Sequence, residues 1–202
     1  MTHRAARRNL TIVFTVLSIA VTAAQQGAQA WYGRLGAKPK DFEPFTAYKG
    51  SFQVDLPKGW QLVPSHGGTV FVVAEKTKRD TGAAIILEHM RLQAAVDPSI
   101  LPSLGAELLK DVQARESGAS GFAEQIIGSG DRSLVLIQYD RPAIIRGQEH
   151  VVQYSIPQGT MLYHMICIAP REAIDKYRPI FAYVAASFVP VKSSSQSPVP
   201  RE

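Results

Sequence analysis

Residues 10–24, LTIVFTVLSIAVTAA, carry no charge and follow a segment holding Arg4, Arg7 and Arg8. A run of that kind does not belong to a water-facing fold. It is either the apolar region of a secretory signal or the buried part of a single membrane anchor. Cleavage would use the small-x-small site Ala28-Gln29-Ala30 and leave Trp31 as the first residue, giving a protein secreted to the periplasm. Retention rests on length: residues 10–30 as a helix rise roughly 30 Å, enough to cross a bilayer core. Leu10, Ile12, Val13, Phe14, Val16, Leu17 and Ile19 would then meet lipid, with Trp31 and Tyr32 at the interface. The expectation is a retained single-pass inner-membrane helix, with the C-terminal domain on the periplasmic (extracytoplasmic) side. Arg34, Lys38 and Lys40 nearly balance the three N-terminal arginines, so the charge bias across the helix is weak.

The net charge of +5 on 202 residues invites a nucleic-acid reading, but its distribution argues against one. Residues 1–30 hold three arginines and no acid, which leaves 19 basic and 17 acidic residues beyond them. The remainder is close to neutral and offers no nucleic acid a basic face. Cys167 is the sole cysteine, which excludes an intramolecular disulfide, a cysteine-based metal cluster and covalently attached c-type haem. Flanked by Ile166 and Ile168, it reads as a small core hydrophobe.

Residues 31–44 mix Gly, Pro and charge without period and read as a linker; 45–190 read as the folded domain and 191–202 as a disordered Pro- and Ser-rich tail. Phe52, Val54 and Leu56 alternate with polar residues, the period of a half-buried strand, and Trp60 opens another after a Pro-Lys-Gly turn. Residues 70–76 and 83–92 predict a hairpin. Asp97 and Pro102 announce a helix whose apolar stripe is Leu101, Leu104, Leu108 and Val112, stopped by Gly118. Strands are predicted over 122–127, 134–139, 151–156 and 161–168, with turns at 146–148 and 157–159. Ile174, Tyr177, Phe181, Val184 and Phe188 predict a closing helix, kinked or divided at Pro179. Strand runs separated by single helices predict an α+β fold: a mostly antiparallel β-sheet flanked by helices, preceded by one N-terminal transmembrane or signal helix.

Phe52, Val54, Pro57, Gly59 and Trp60 form a Phe-x-Val-x-x-Pro-x-Gly-Trp opening. With Leu104-Gly105 entering an amphipathic helix, the aromatic strand at Leu162-Tyr163 and a last helix ending in Ser187-Phe188, the chain resembles the PsbP-like domain family. The resemblance spans about residues 45–188. It implies an α/β/α sandwich and a non-enzymatic subunit that binds and stabilises a larger assembly at a membrane surface, photosynthetic or otherwise electron-transferring. It carries no active-site residues over to this chain.

His89, His150 and His164 fall on or beside neighbouring strands, but no two share a metal-binding spacing, and isolated strand histidines are ordinarily structural. The loop Gly128-Ser129-Gly130-Asp131 lacks the Gly-Lys-Ser/Thr of a phosphate loop. Asp131 and Ser133 lack the Gly-x-Ser-x-Gly elbow of a hydrolase. Nothing here calls for a catalytic group, a cofactor or a metal. Lys76, Lys78, Arg79, Arg141 and Arg146 lie at expected hairpin ends and form the candidate docking surface for an acidic partner. The expected function is that of a membrane-tethered accessory subunit docking on a larger membrane protein complex. The alternatives are a secreted module for a small apolar ligand, and an enzyme or metal carrier built on the strand histidines.

Overall fold

In a computed structural model the described residues are 40–46, 52–63, 69–75, 82–143 and 147–190. The expected anchor, together with Trp31, Tyr32, Lys76, Lys78, Arg79 and Arg146, lies outside them. Among the described residues no helix is long and apolar enough to cross a membrane.

The principal layer is a seven-stranded antiparallel sheet. Its strands are β3 (Trp60–Val63), β4 (Thr69–Glu75), β5 (Ala84–Arg91), β6 (Ser120–Ile127), β7 (Leu134–Pro142), β8 (Gln148–Gln158) and β9 (Met161–Pro170), in the order β3-β4-β5-β9-β8-β7-β6. A smaller antiparallel sheet sets β2 (Phe52–Pro57) between β1 (Phe42–Thr46) and β10 (Val189–Pro190). The long β8–β9 hairpin fixes the centre, since its register pairs Val151 with Ile168, Gln153 with Ile166 and Ser155 with His164. Side chains alternate between faces along each strand, so one register assigns every residue of the hairpin to a side.

Two helices take the two faces. Helix α1 (Leu101–Arg115) follows a 3₁₀ turn capped by Asp97, whose carboxylate accepts from the Ser99 amide at 2.8 Å. It sets Leu101 and Val112 on Val135, Ile137, Tyr139 and Val151. Gly105 permits this approach, because a Cβ there would lie 3.3 Å from Val135 Cγ1 and would collide with the Glu124 carboxylate. Helix α2 (Ile174–Ser187) packs on the opposite face: Arg178 hydrogen-bonds Gln138, the neighbour of Ile137 and therefore on the reverse side of β7. Tyr177, Phe181 and Val184 of α2 are buried there with Val73, Ile85, Met165 and Cys167. β2 closes the other flank of α2 through Tyr183 Oη donating to Asp55 Oδ2 at 3.0 Å and the Asp55 amide donating to Ser187 Oγ at 2.9 Å.

Three sequence expectations are corrected. The linker does not run to residue 44, because Phe42–Thr46 pairs with β2 and Phe42 lies 4.3 Å from the Tyr183 ring. At the other end of the domain Val189–Pro190 forms a short strand on β2. The closing helix is not divided in two: Pro179 stands exposed within it, where water can serve the carbonyl that loses its donor. The turn expected at 157–159 is shifted too, since β8 continues through Gln158 and the chain reverses at Gly159, with φ +58°.

Candidate functional site

Three polar clusters inside the described fold have the residue types that chemistry uses. The first follows from the β8–β9 register, which sets Ser155 opposite His164 and brings Gln153 to the same face. Ser155 Oγ lies 2.9 Å from His164 Nδ1, and Gln153 Nε2 donates to Ser155 Oγ at 3.1 Å. Burial under α1 holds His164 down to about 4, with the Arg115 guanidinium acting in the same direction and Asp111 against it. The imidazole is therefore neutral at pH 7. Its Nδ1 accepts from the Ser155 hydroxyl while Gln153 fills the hydroxyl oxygen, a closed donor–acceptor circuit.

A serine at hydrogen-bond distance from a histidine is the first requirement of nucleophilic catalysis. Two features oppose that use. Ser155 is 0% exposed, so a substrate carbonyl has no approach to its oxygen. A histidine held near 4 is also too weak a base to take the serine proton at neutral pH. The pair is a buried structural bridge between β8 and β9.

The second cluster lies on the opposite face, where the β7–β8 register sets Asp140 opposite His150. His150 Nδ1 is 2.8 Å from Asp140 Oδ1, and Arg171 Nε reaches Asp140 Oδ2 at 3.2 Å. His150 Nε2 is buried with no hydrogen-bond partner. A carboxylate-backed imidazole is half of many metal sites, yet no group of three His, Cys, Asp or Glu side chains among the described residues is placed to hold an ion. The strand histidines do not converge. His164 faces α1, His150 faces away from it, and His89 sits at the far end of the sheet with its ring 6.2 Å from Tyr163.

The third cluster holds the one docking candidate among the described residues, Arg141. Its Nη1 lies 3.1 Å from Glu116 Oε1 and its Nε 3.1 Å from Glu149 Oε2, with the side chain 20% exposed. Tyr139 Oη donates to the same Glu116 oxygen at 3.1 Å. Glu116 is the cap residue ending α1, so Arg141 ties that end to the β7–β8 pair. Burial and the Glu116 charge push the Tyr139 phenol well up from its ordinary value. Sequence reasoning missed both Glu116 and Ser155, because neither shows its partner by spacing.

A cleft of about 170 Å³ opens between Val96, Leu101, Gly130 and the β8–β9 turn. That is below the roughly 300 Å³ at which small-molecule pockets begin.

The fold aligns with the solution structure of cyanobacterial PsbP (CyanoP) from Synechocystis sp. PCC 6803 at a TM-score of 0.57 and 14% identity, covering 77% of this chain and 96% of that one. It also aligns with the Saccharomyces cerevisiae Ran-binding protein Mog1p at a TM-score of 0.55 and 12% identity, covering 76% and 97%. The chain has the PsbP/Mog1-like fold. No family model matches the sequence, and no curated protein matches it.

Proposed function

We propose that this protein is a non-catalytic, membrane-tethered accessory subunit, whose extracytoplasmic domain docks on and stabilises a larger membrane protein complex. The observation that carries the proposal is the fate of the polar residues. Ser155, His164 and Gln153 close on one another, and Arg141 closes on Glu116 and Glu149, so both clusters hold strands and a helix end in place. The fold, met also in a Ran-binding protein and in cyanobacterial PsbP, supports a scaffold that works through its surface. The uncharged run at 10–24 supports the tether. The likeness to CyanoP makes a photosynthetic or other electron-transfer complex the first partner class to examine.

The test is sedimentation of the epitope-tagged full chain, extracted from its native membranes in mild detergent, with the intact mass taken from the same fractions. The proposal expects a mass that includes residues 1–30, in a particle several times the 22.1 kDa of the chain. A lone monomer beginning at Trp31 would overturn it.

A further inference from the structure

Sheet edges expose unpaired backbone donors and acceptors, and proteins blunt them with charge, proline, bulges or a covering element. Among the described residues the two sheets present four outer strands: β1, β10, β3 and β6. Three carry such a device. β1 has Glu43 and Pro44 at its middle, and β10 is two residues long and ends in Pro190. β6 has a register shift between Ser120 and Ala123, carries Glu124 and lies under α1.

Among the described residues β3 has none of these. Trp60–Val63 contains no charge and no proline, and its pairing with β4 is unbroken. Leu62 is 57% exposed and Val63 42%. Both end apolar rows that run inward across the sheet. Leu62 is level with Val73, Ile85 and Cys167 on one face, and Val63 with Val72, Ile86 and Ile166 on the other. The first row is buried from Val73 inward, so the core runs out to this edge and stops at an exposed leucine.

We propose that β3 is a strand-addition site that takes up an extended, uncharged apolar segment of a partner protein, paired edge to edge with Trp60–Val63. The open row ends set the chemistry of the occupant. A strand laid beside β3 places one side chain next to Leu62 and the next beside Val63, on opposite faces, so apolar residues are wanted at consecutive positions. Trp60–Val63 itself carries no charge that could pair with a charged side chain of the incoming strand. A second copy of this chain is the weaker occupant: four residues from each side fall far below the roughly 20 to 30 residues a side of a stable dimer. A segment belonging to a complex on which the domain is already held needs no such area of its own. This inference rests on the docking-subunit reading above and names its surface.

The experiment replaces the native chain with tagged full-length variants and measures the fraction sedimenting with the assembly in mild detergent. Leu62→Lys puts a charge on the edge at a solvent-facing position, and is expected to reduce that fraction by about tenfold or more. Leu62→Ile keeps the apolar edge and is expected to assemble as the wild type does. Met90→Lys charges an exposed apolar residue away from β3 and is expected to leave assembly unchanged. Matching circular dichroism and urea midpoints confirm that the variants fold. Normal assembly of Leu62→Lys would overturn the edge site while leaving the docking-subunit reading in place. Equal losses in Met90→Lys would overturn it as well. Wild-type protein sedimenting as a monomer would overturn both. A particle containing only this chain, dissolved by Leu62→Lys, would make the occupant a second copy and overturn the partner segment.

Discussion

Protonating His164 is expected to cost the fold stability at pH values where its carboxylates are still mostly ionised. The imidazole is largely covered between α1 and the sheet, and burial, aided by Arg115, lowers it from 6.5 in the unfolded chain to about 4. Between those values the unfolded chain binds a proton that the folded chain refuses, so stability falls as pH drops. The loss begins near pH 6.5, steepens to about 1.4 kcal/mol per pH unit and levels off below pH 4. Between pH 7 and pH 5 it amounts to about 2 kcal/mol. The structural reason is the Ser155–His164–Gln153 circuit. A proton on Nδ1 replaces the acceptor that Ser155 needs with a second donor, facing a hydroxyl that is itself fully buried. Urea unfolding of the full chain in mild detergent, followed by circular dichroism at half-unit steps from pH 7.5 to 5, gives the slope directly. The variant His164→Leu removes the titrating group and should flatten the slope over that range, whatever its stability at pH 7. Equal slopes for the wild type and His164→Leu would refute the assignment of a buried neutral imidazole.

Other substitutions probe the remaining supports. Arg141→Ala leaves the Glu116 and Glu149 carboxylates together and half-buried, and is expected to destabilise the domain by roughly 2 to 4 kcal/mol in the same urea assay. Gly128→Ala meets a left-handed backbone at φ +91° and drives a Cβ into the Arg132 carbonyl, so a destabilisation of about 2 kcal/mol or more is expected, seen as a lowered thermal midpoint. Phe181→Ala opens a cavity at a side chain with no exposure and is expected to cost about 3 to 5 kcal/mol.

Much of this fold is legible in the sequence, and what is hidden there has a physical reason. The alternation at Phe52, Val54 and Leu56 and the stripe at Leu101, Leu104, Leu108 and Val112 are local periodicities, and each marks an element that buries one face. β1 and β10 are different, because they are strands only by virtue of β2 between them. The Glu and Pro of β1 read as linker, and the two residues of β10 are too few to show a strand period, until the partner is known. The Ser155–His164 pair depended on where the β8–β9 chain reverses. A reversal at Gly159-Thr160 sets the two opposite each other, whereas a three-residue turn over 157–159 sets Ser155 against Met161. Arg141 shows a further limit. Charge at a strand end ordinarily faces water, and only tertiary structure brings Glu116 from 25 residues away to its guanidinium. Pro179 predicts a kink or a division, and its exposed position lets one helix run through it.

The central claim is that the domain works by docking on another membrane protein. Cross-linking in intact native membranes, followed by mass spectrometric mapping of the linked residues, tests it most directly. The account predicts recurrent cross-links between lysines of the described domain, such as Lys58 and Lys176, and one defined set of membrane-protein partners. Cross-links confined to this chain, at a labelling level that captures neighbouring complexes, would contradict it.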